Sequence, residues 1–177
     1  MEFINRNPII YVLSGKAGSG KSFVASRMKE IFNSRGFKCI DIAYASYLKN
    51  YIKNITAWDG SDSDKPRAFL QQLGVELIKN KINSNFLIDR IVDDILVYSY
   101  FFDVIIISDA RFVEEIETIR SKFSNVIVIK VVGKDNDLSD SLKVHITEIA
   151  LDDYNNYDFV INNFGDDLDK YLKEVLK

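Results

Sequence analysis

A chain that carries SGKAGSGKSF at positions 14–23 has few folds open to it. Gly15, Gly20, Lys21 and Ser22 fill the pattern G-x-x-x-x-G-K-[ST]. The apolar run PIIYVL (Pro8–Leu13) precedes it and reads as a buried strand. FVASRMKEIF follows, with Val24, Met28, Ile31 and Phe32 at helical spacing. Strand, glycine-rich loop and helix together make a phosphate cradle. Glycines let backbone N–H groups curl around an anion, and the helix N-terminus adds its positive dipole end. Gly15, Lys16, Ala17, Gly18, Ser19, Gly20, Lys21 and Ser22 are therefore predicted to bind ATP. Lys21 is expected to reach the β- and γ-phosphates, and the Ser22 hydroxyl to ligate Mg²⁺. The loop names the donor and leaves the acceptor open.

The rest of the chain alternates strand-like and helix-like segments. GFKCIDIA (Gly36–Ala43) reads as a second strand, and YASYLKNYIKNI as an amphipathic helix. After the polar loop Thr56–Asp64, Pro66 suits the first turn of a helix that turns Leu70, Leu73, Leu77 and Ile78 inward. Ile88, Ile91, Val92, Ile95 and Leu96 mark the next helix. DVIIISDAR (Asp103–Arg111) has the continuous apolar character of a central parallel strand. A helix with Val113, Ile116 and Ile119 follows, then the strands NVIVIKVVG and YDFVIN, and a last helix with Leu168, Leu172 and Val175. This alternation predicts a five-stranded parallel sheet with helices on both faces and ligands at the C-terminal strand ends. Its 177 residues suit a single domain. The polar stretch Gly133–Tyr154 is the candidate moving part.

Composition narrows the partners. A net charge of −3 argues against a general nucleic-acid or membrane surface, so only a local cationic pocket is expected. ILVYSYFFDVIII is interrupted by Asp103 and too short for a membrane span. MEFINRNPII lacks a basic start and a long apolar middle, so a cytoplasmic protein is expected. Cys39 stands alone and reads as a buried thiol. Homodimer or monomer stays open.

Several side chains suit an anionic acceptor. Asp109 closes the central strand, where a carboxylate near Mg²⁺ belongs; a helix cap for the segment beginning near Arg111 is the competing role. Arg111 lies on the same rim. Arg67 and Arg90 lie early in their helices, where the dipole disfavours cations unless an anion binds nearby. Asp41, at the end of the second strand, suits a hydroxyl contact or a base, and equally a turn. Lys49 reads equally as cleft-facing or solvated. His145 and Glu148 would share a helical face, and Trp58 or the tyrosines of YASYLKNY suit either base stacking or core packing.

These residues resemble those of the deoxynucleoside monophosphate kinase family of phage and bacterial type, P-loop kinases to which phosphomevalonate kinase is also similar. The resemblance runs through GKAGSGKS, WDGSDSDKPRAFLQQLGVE (Trp58–Glu76), FLIDRIVDD (Phe86–Asp94), SDARFVEEIETIR (Ser108–Arg120) and HITEIALDDYNNYDFVINNFGDDLDKYL. It implies a three-layer α/β sandwich with a small lid near 133–154 and an acceptor-binding helical region near 43–100. Arg67, Gln71 and Arg111 would contact the acceptor nucleotide, with Asp109 near metal and acceptor. Asn162, Asn163 and Gly165 would pack against the donor adenine, and His145 and Glu148 would belong to the lid. The chain departs from the family at VVGKDND, which lacks the usual arginine and offers Lys134 or Lys143 instead. FVEE replaces the usual Phe-Pro-x-Glu, and Thr147-Glu148 the usual Ser-Glu.

The expected reaction is transfer of the γ-phosphoryl group of ATP to a (deoxy)nucleoside 5′-monophosphate. Phosphomevalonate or another small molecule is the alternative acceptor. A nucleotide-hydrolysing switch is the remoter reading, since no Asn-Lys-x-Asp motif is present.

Overall fold

The computed structural model describes residues 2–61, 66–133, 146–163 and 168–176. Five strands form one parallel sheet: β1 (Ile9–Ser14), β2 (Cys39–Ile42), β3 (Val104–Ala110), β4 (Val126–Val132) and β5 (Phe159–Asn162). Their order is β2-β3-β1-β4-β5. β1 is central, with Ile10 opposite Ile105 on one side and Val126 on the other. Covered on both faces and both edges, it has no polar side to show, which is why IIYVL is apolar throughout.

Side-chain alternation sorts the sheet residues into two cores. Tyr11, Leu13, Val104, Ile106, Ile129 and Ile161 face α1 (Lys21–Ser34) and the C-terminal helix, α7 (Leu168–Val175). Ile10, Val12, Ile105, Ile107 and Val128 face α4 (Phe86–Tyr98) and α5 (Val113–Lys122). The Asp169 carboxylate accepts from Arg27 of α1 at 2.6 Å, but both side chains are largely solvated and the solvent screens the pair. Burial of Leu172, Val175 and Leu176, at roughly 1.5–3 kcal/mol each, is what docks α7.

A third, smaller cluster joins Ile52, Leu70, Leu73 and Ile78. It lies between α2 (Tyr44–Ile55) and α3 (Arg67–Gln71), which continues as a π-helix through Gln72–Ile82. The wider turn corrects one expectation. The wider pitch lets Leu73 and Ile78, five residues apart, share the buried face, whereas Leu77 is exposed. Leu96 is likewise exposed, about 80° around α4 from Ile88 at 3.6 residues per turn. A short helix, α6 (Ile146–Ile149), precedes β5. Among the described residues no helix is long and apolar enough to cross a membrane.

The parallel register of β1 and β3 breaks once. Val12 lies opposite Ile107 but Ser14 opposite Ala110, so β3 carries an extra residue at Ser108–Asp109. Bulges re-aim side chains beside active sites. This one sits where β3 meets the phosphate loop.

Candidate active site

β1 ends at Ser14, and the loop that follows turns into α1 through Gly20 at φ +87°, a left-handed conformation that favours glycine. α1 has no side-chain cap and no acidic residue in its first turn, leaving its N-terminal N–H groups to an anion. Lys21 is buried, its ammonium donating to the carbonyls of Gly15 (2.6 Å) and Lys16 (2.8 Å). A Cβ on Gly20 would lie 1.8 Å from Asn163 Nδ2, which itself donates to the Ser19 carbonyl at 3.2 Å. Asn163 therefore braces the loop from the end of β5. Asn162 is exposed, and Gly165 lies outside the described residues.

Gly133 escapes sequence inspection because no local motif marks it. It follows β4 and lies flat against the loop, where a Cβ would stand 2.5 Å from Ser19 Cα. Backbone cannot swing aside as a side-chain tip can. Gly133→Ala is expected to shift the loop at a cost of about 1–3 kcal/mol, lowering Tm and weakening ATP binding roughly tenfold. Calorimetric ATP titration and thermal melting check this; unchanged values would show that the loop is not braced there.

Beyond the loop opens a cleft of about 530 Å³. Its walls include Gly18, Lys21 and Ser22, then Asp109 and Tyr44, then Arg67, Gln71 and Arg111. The structure thus brings the predicted acceptor contacts and the phosphate loop into one cavity. Lys49 lines it as well. Five cations (Lys21, Lys49, Arg67, Lys79, Arg111) meet three carboxyl groups (Asp109, Glu114, Glu115). In a protein of net charge −3, this is a local cationic pocket.

The carboxyl groups have distinct tasks. Asp109 accepts the N–H groups of Tyr44 (2.8 Å) and Ala45 (2.9 Å), so it caps α2 and not the segment near Arg111. α2 has no cap of its own; a tertiary contact supplies one. Glu115 caps α5, taking the N–H groups of Arg111 (2.6 Å) and Phe112 (3.1 Å) on one oxygen. Burial pushes its carboxyl up to about 8, against the two N–H bonds.

Other candidates lie elsewhere. Asp41 shares a strand face with Cys39, on the α1 side, and does not line the cleft. Desolvation raises its carboxyl above the usual range, and Ser108 hydrogen-bonds to it. Trp58 packs against the third cluster and donates to the Ser61 carbonyl. Arg90 lies over the Phe86 ring, outside the cleft. Lys16 pairs with Asp152 at 3.0 Å. His145 and most of 133–154, including Lys134 and Lys143, fall outside the described residues, as does the Glu148 side chain. From that region Thr147 reaches the cleft, its carbonyl 3.4 Å from Arg111 Nη1. Phe112, with the Lys79 ammonium 3.6 Å from its ring centre, is a cleft aromatic that periodicity did not single out.

The site suits nucleoside phosphates and their metal. A Cβ on Gly15 or Gly20 would meet Val131 or Asn163, so the loop needs glycine there, and among the described residues α1 has no side-chain cap. Mg²⁺ is held by few protein ligands when phosphate oxygens and water complete its shell. The Ser22 hydroxyl and the Asp109 carboxylate, each of whose oxygens keeps a lone pair beyond its N–H bond, are such a donor set.

A parallel sheet with the phosphate loop after its central strand, and a cleft beyond the strand ends, defines a P-loop kinase. Solved structures of similar fold include the APS kinase CysC of Mycobacterium tuberculosis in complex with AMPPNP and APS. That match has a TM-score of 0.58 and 13% identity, covering 96% of each chain. Shikimate kinase from Acinetobacter baumannii in complex with shikimate matches at TM-score 0.50 and 9% identity, over 97% of this chain and 92% of that one. The chain belongs to the deoxynucleotide monophosphate kinase family, whose model matches residues 21–175. It is a phosphotransferase of nucleotides or small molecules. No curated protein matches it in sequence.

Proposed function

We propose that the protein transfers the γ-phosphoryl group of ATP to the 5′-phosphate of a deoxynucleoside monophosphate. An acceptor phosphate oxygen attacks the γ-phosphorus, the bond to the β-phosphate bridging oxygen breaks, and deoxynucleoside diphosphate and ADP result. The observation that carries the reading is the shared cavity, with Lys21 at one end and Arg67, Gln71 and Arg111 along the same walls. An anionic acceptor needs no strong base; it needs in-line placement and relief of repulsion between two anions. Lys21 would serve the donor phosphates, while Arg67 and Arg111 would neutralise the acceptor. Mg²⁺, held by Ser22 and Asp109, would supply further neutralisation of the β/γ charge.

Two observations weigh against other acceptors. Phe112 gives the cleft an aromatic wall, which favours an acceptor with a ring over phosphomevalonate. A hydroxyl acceptor would need a general base; Asp41 does not line the cleft, and both Asp109 oxygens already accept a backbone N–H. The test is coupled ADP release with Mg-ATP against the four deoxynucleoside monophosphates, their ribose counterparts, phosphomevalonate and dephospho-coenzyme A. Strong stimulation by a deoxynucleotide is expected. Stimulation by phosphomevalonate alone would replace the substrate, and acceptor-independent release would leave a hydrolase.

A further inference from the structure

The turn between β3 and α5 places two consecutive residues, Arg111 and Phe112, on the cleft wall. Consecutive residues need a defined backbone to do this, and the turn has one anchor on each. Glu115 Oε2 accepts both N–H groups, at 2.6 and 3.1 Å. An ordinary helix-capping carboxylate is solvated; this one is 7% exposed and lines the cleft itself. Tyr44 links the clamp to the rest of the site. Its hydroxyl donates to the Glu115 carbonyl at 3.2 Å, while its N–H donates to Asp109. Lys79 holds the Phe112 ring from the opposite side and lies 3.9 Å from Glu114.

We infer that Glu115 is a positioning residue of the acceptor site, its one oxygen fixing the turn that sets Arg111 and Phe112 on the cleft wall. The inference rests on the acceptor reading above. Glutamine can keep the same two bonds through its amide oxygen, and it mimics the protonated acid in shape and charge. Alanine leaves two N–H groups without their acceptor.

The test compares wild type, Glu115→Ala and Glu115→Gln. Glu115→Ala is expected to raise the acceptor KM about tenfold or more, with the ATP KM changed less than about twofold. Glu115→Gln is expected to recover most of the acceptor affinity. As pH rises through about 8, the wild-type carboxyl charges within a site whose other titratable or charged groups, among the described residues, are Asp109, Glu114, Lys79, Arg111 and the Tyr44 phenol. Added negative charge repels an anion, so the wild-type acceptor KM climbs there while that of Glu115→Gln stays flat. Amide exchange provides a readout independent of turnover: Arg111 and Phe112 N–H protection is lost in Glu115→Ala and kept in Glu115→Gln. Equal rises in both KM values, or unchanged protection in Glu115→Ala, would overturn the inference. If Glu115→Ala does not fold, Glu115→Asp, one methylene short of both N–H groups, replaces it, and an unchanged acceptor KM with unchanged Arg111 and Phe112 N–H protection overturns the inference. Wild type without acceptor-dependent ADP release defeats the proposed function instead, and the exchange arm then decides the clamp alone.

Discussion

Lys21→Ala is expected to lower kcat by about 10³-fold or more while leaving a folded protein. The buried ammonium is held within the glycine loop by its own hydrogen bonds, to Gly15 and Lys16. In a cleft that partly excludes water, a fixed positive charge beside the γ-phosphoryl group is worth far more than the same charge in solvent. Its loss removes stabilisation that develops as charge shifts to the leaving ADP, so kcat falls more than the ATP KM rises. The two carbonyls released by the substitution belong to half-buried Gly15 and exposed Lys16 and can bind water, which limits the cost to stability. ADP release and thermal melting check both halves. Turnover at the wild-type rate would sink the phosphotransfer reading for this loop.

The second large effect falls on the acceptor. Arg111→Ala is expected to lower kcat/KM for the acceptor by about 10²-fold or more, with the ATP KM nearly unchanged. Glu115 grips the Arg111 backbone and not its guanidinium, so truncating the side chain leaves the turn in place. Arg111→Lys should recover only part of the loss, because an ammonium cannot offer the paired donors that a phosphate accepts from a guanidinium. Steady-state titration of each substrate separates the outcomes. A selective loss of ATP affinity would move Arg111 to the donor side.

Much of this architecture is legible in the chain because it follows from local rules. The IIYVL run, the glycine loop and the Val24–Met28–Phe32 stripe each state their structure within one turn or one strand. The central strand shows itself at VIIISDA for the same reason: burial on both faces leaves no polar period. Local rules fail where a helix changes its pitch. Leu77 reads as inward at 3.6 residues per turn and is exposed in the π-helix, where Leu73 and Ile78 are the buried pair. The same rules leave Trp58, an aromatic in a polar loop, open between base stacking and core packing; it packs against the third cluster and does not line the cleft.

The sequence by itself determined the phosphate loop, the alternation of strands and helices, and the resemblance that pointed to a nucleotide kinase. These depend on residue type and short spacing, which a chain displays before it folds. Packing alone decided that Arg67 and Arg111 share a cavity with Lys21, and that Asp41 does not. It likewise assigned Asp109 to the start of α2, Glu115 to the Arg111 turn, and Gly133 to the back of the loop. Each of these contacts depends on sheet order, on the bulge in β3 or on the pitch of a helix. Those are properties of the whole packed chain, because a partner far away in sequence is chosen by which backbones come to lie side by side.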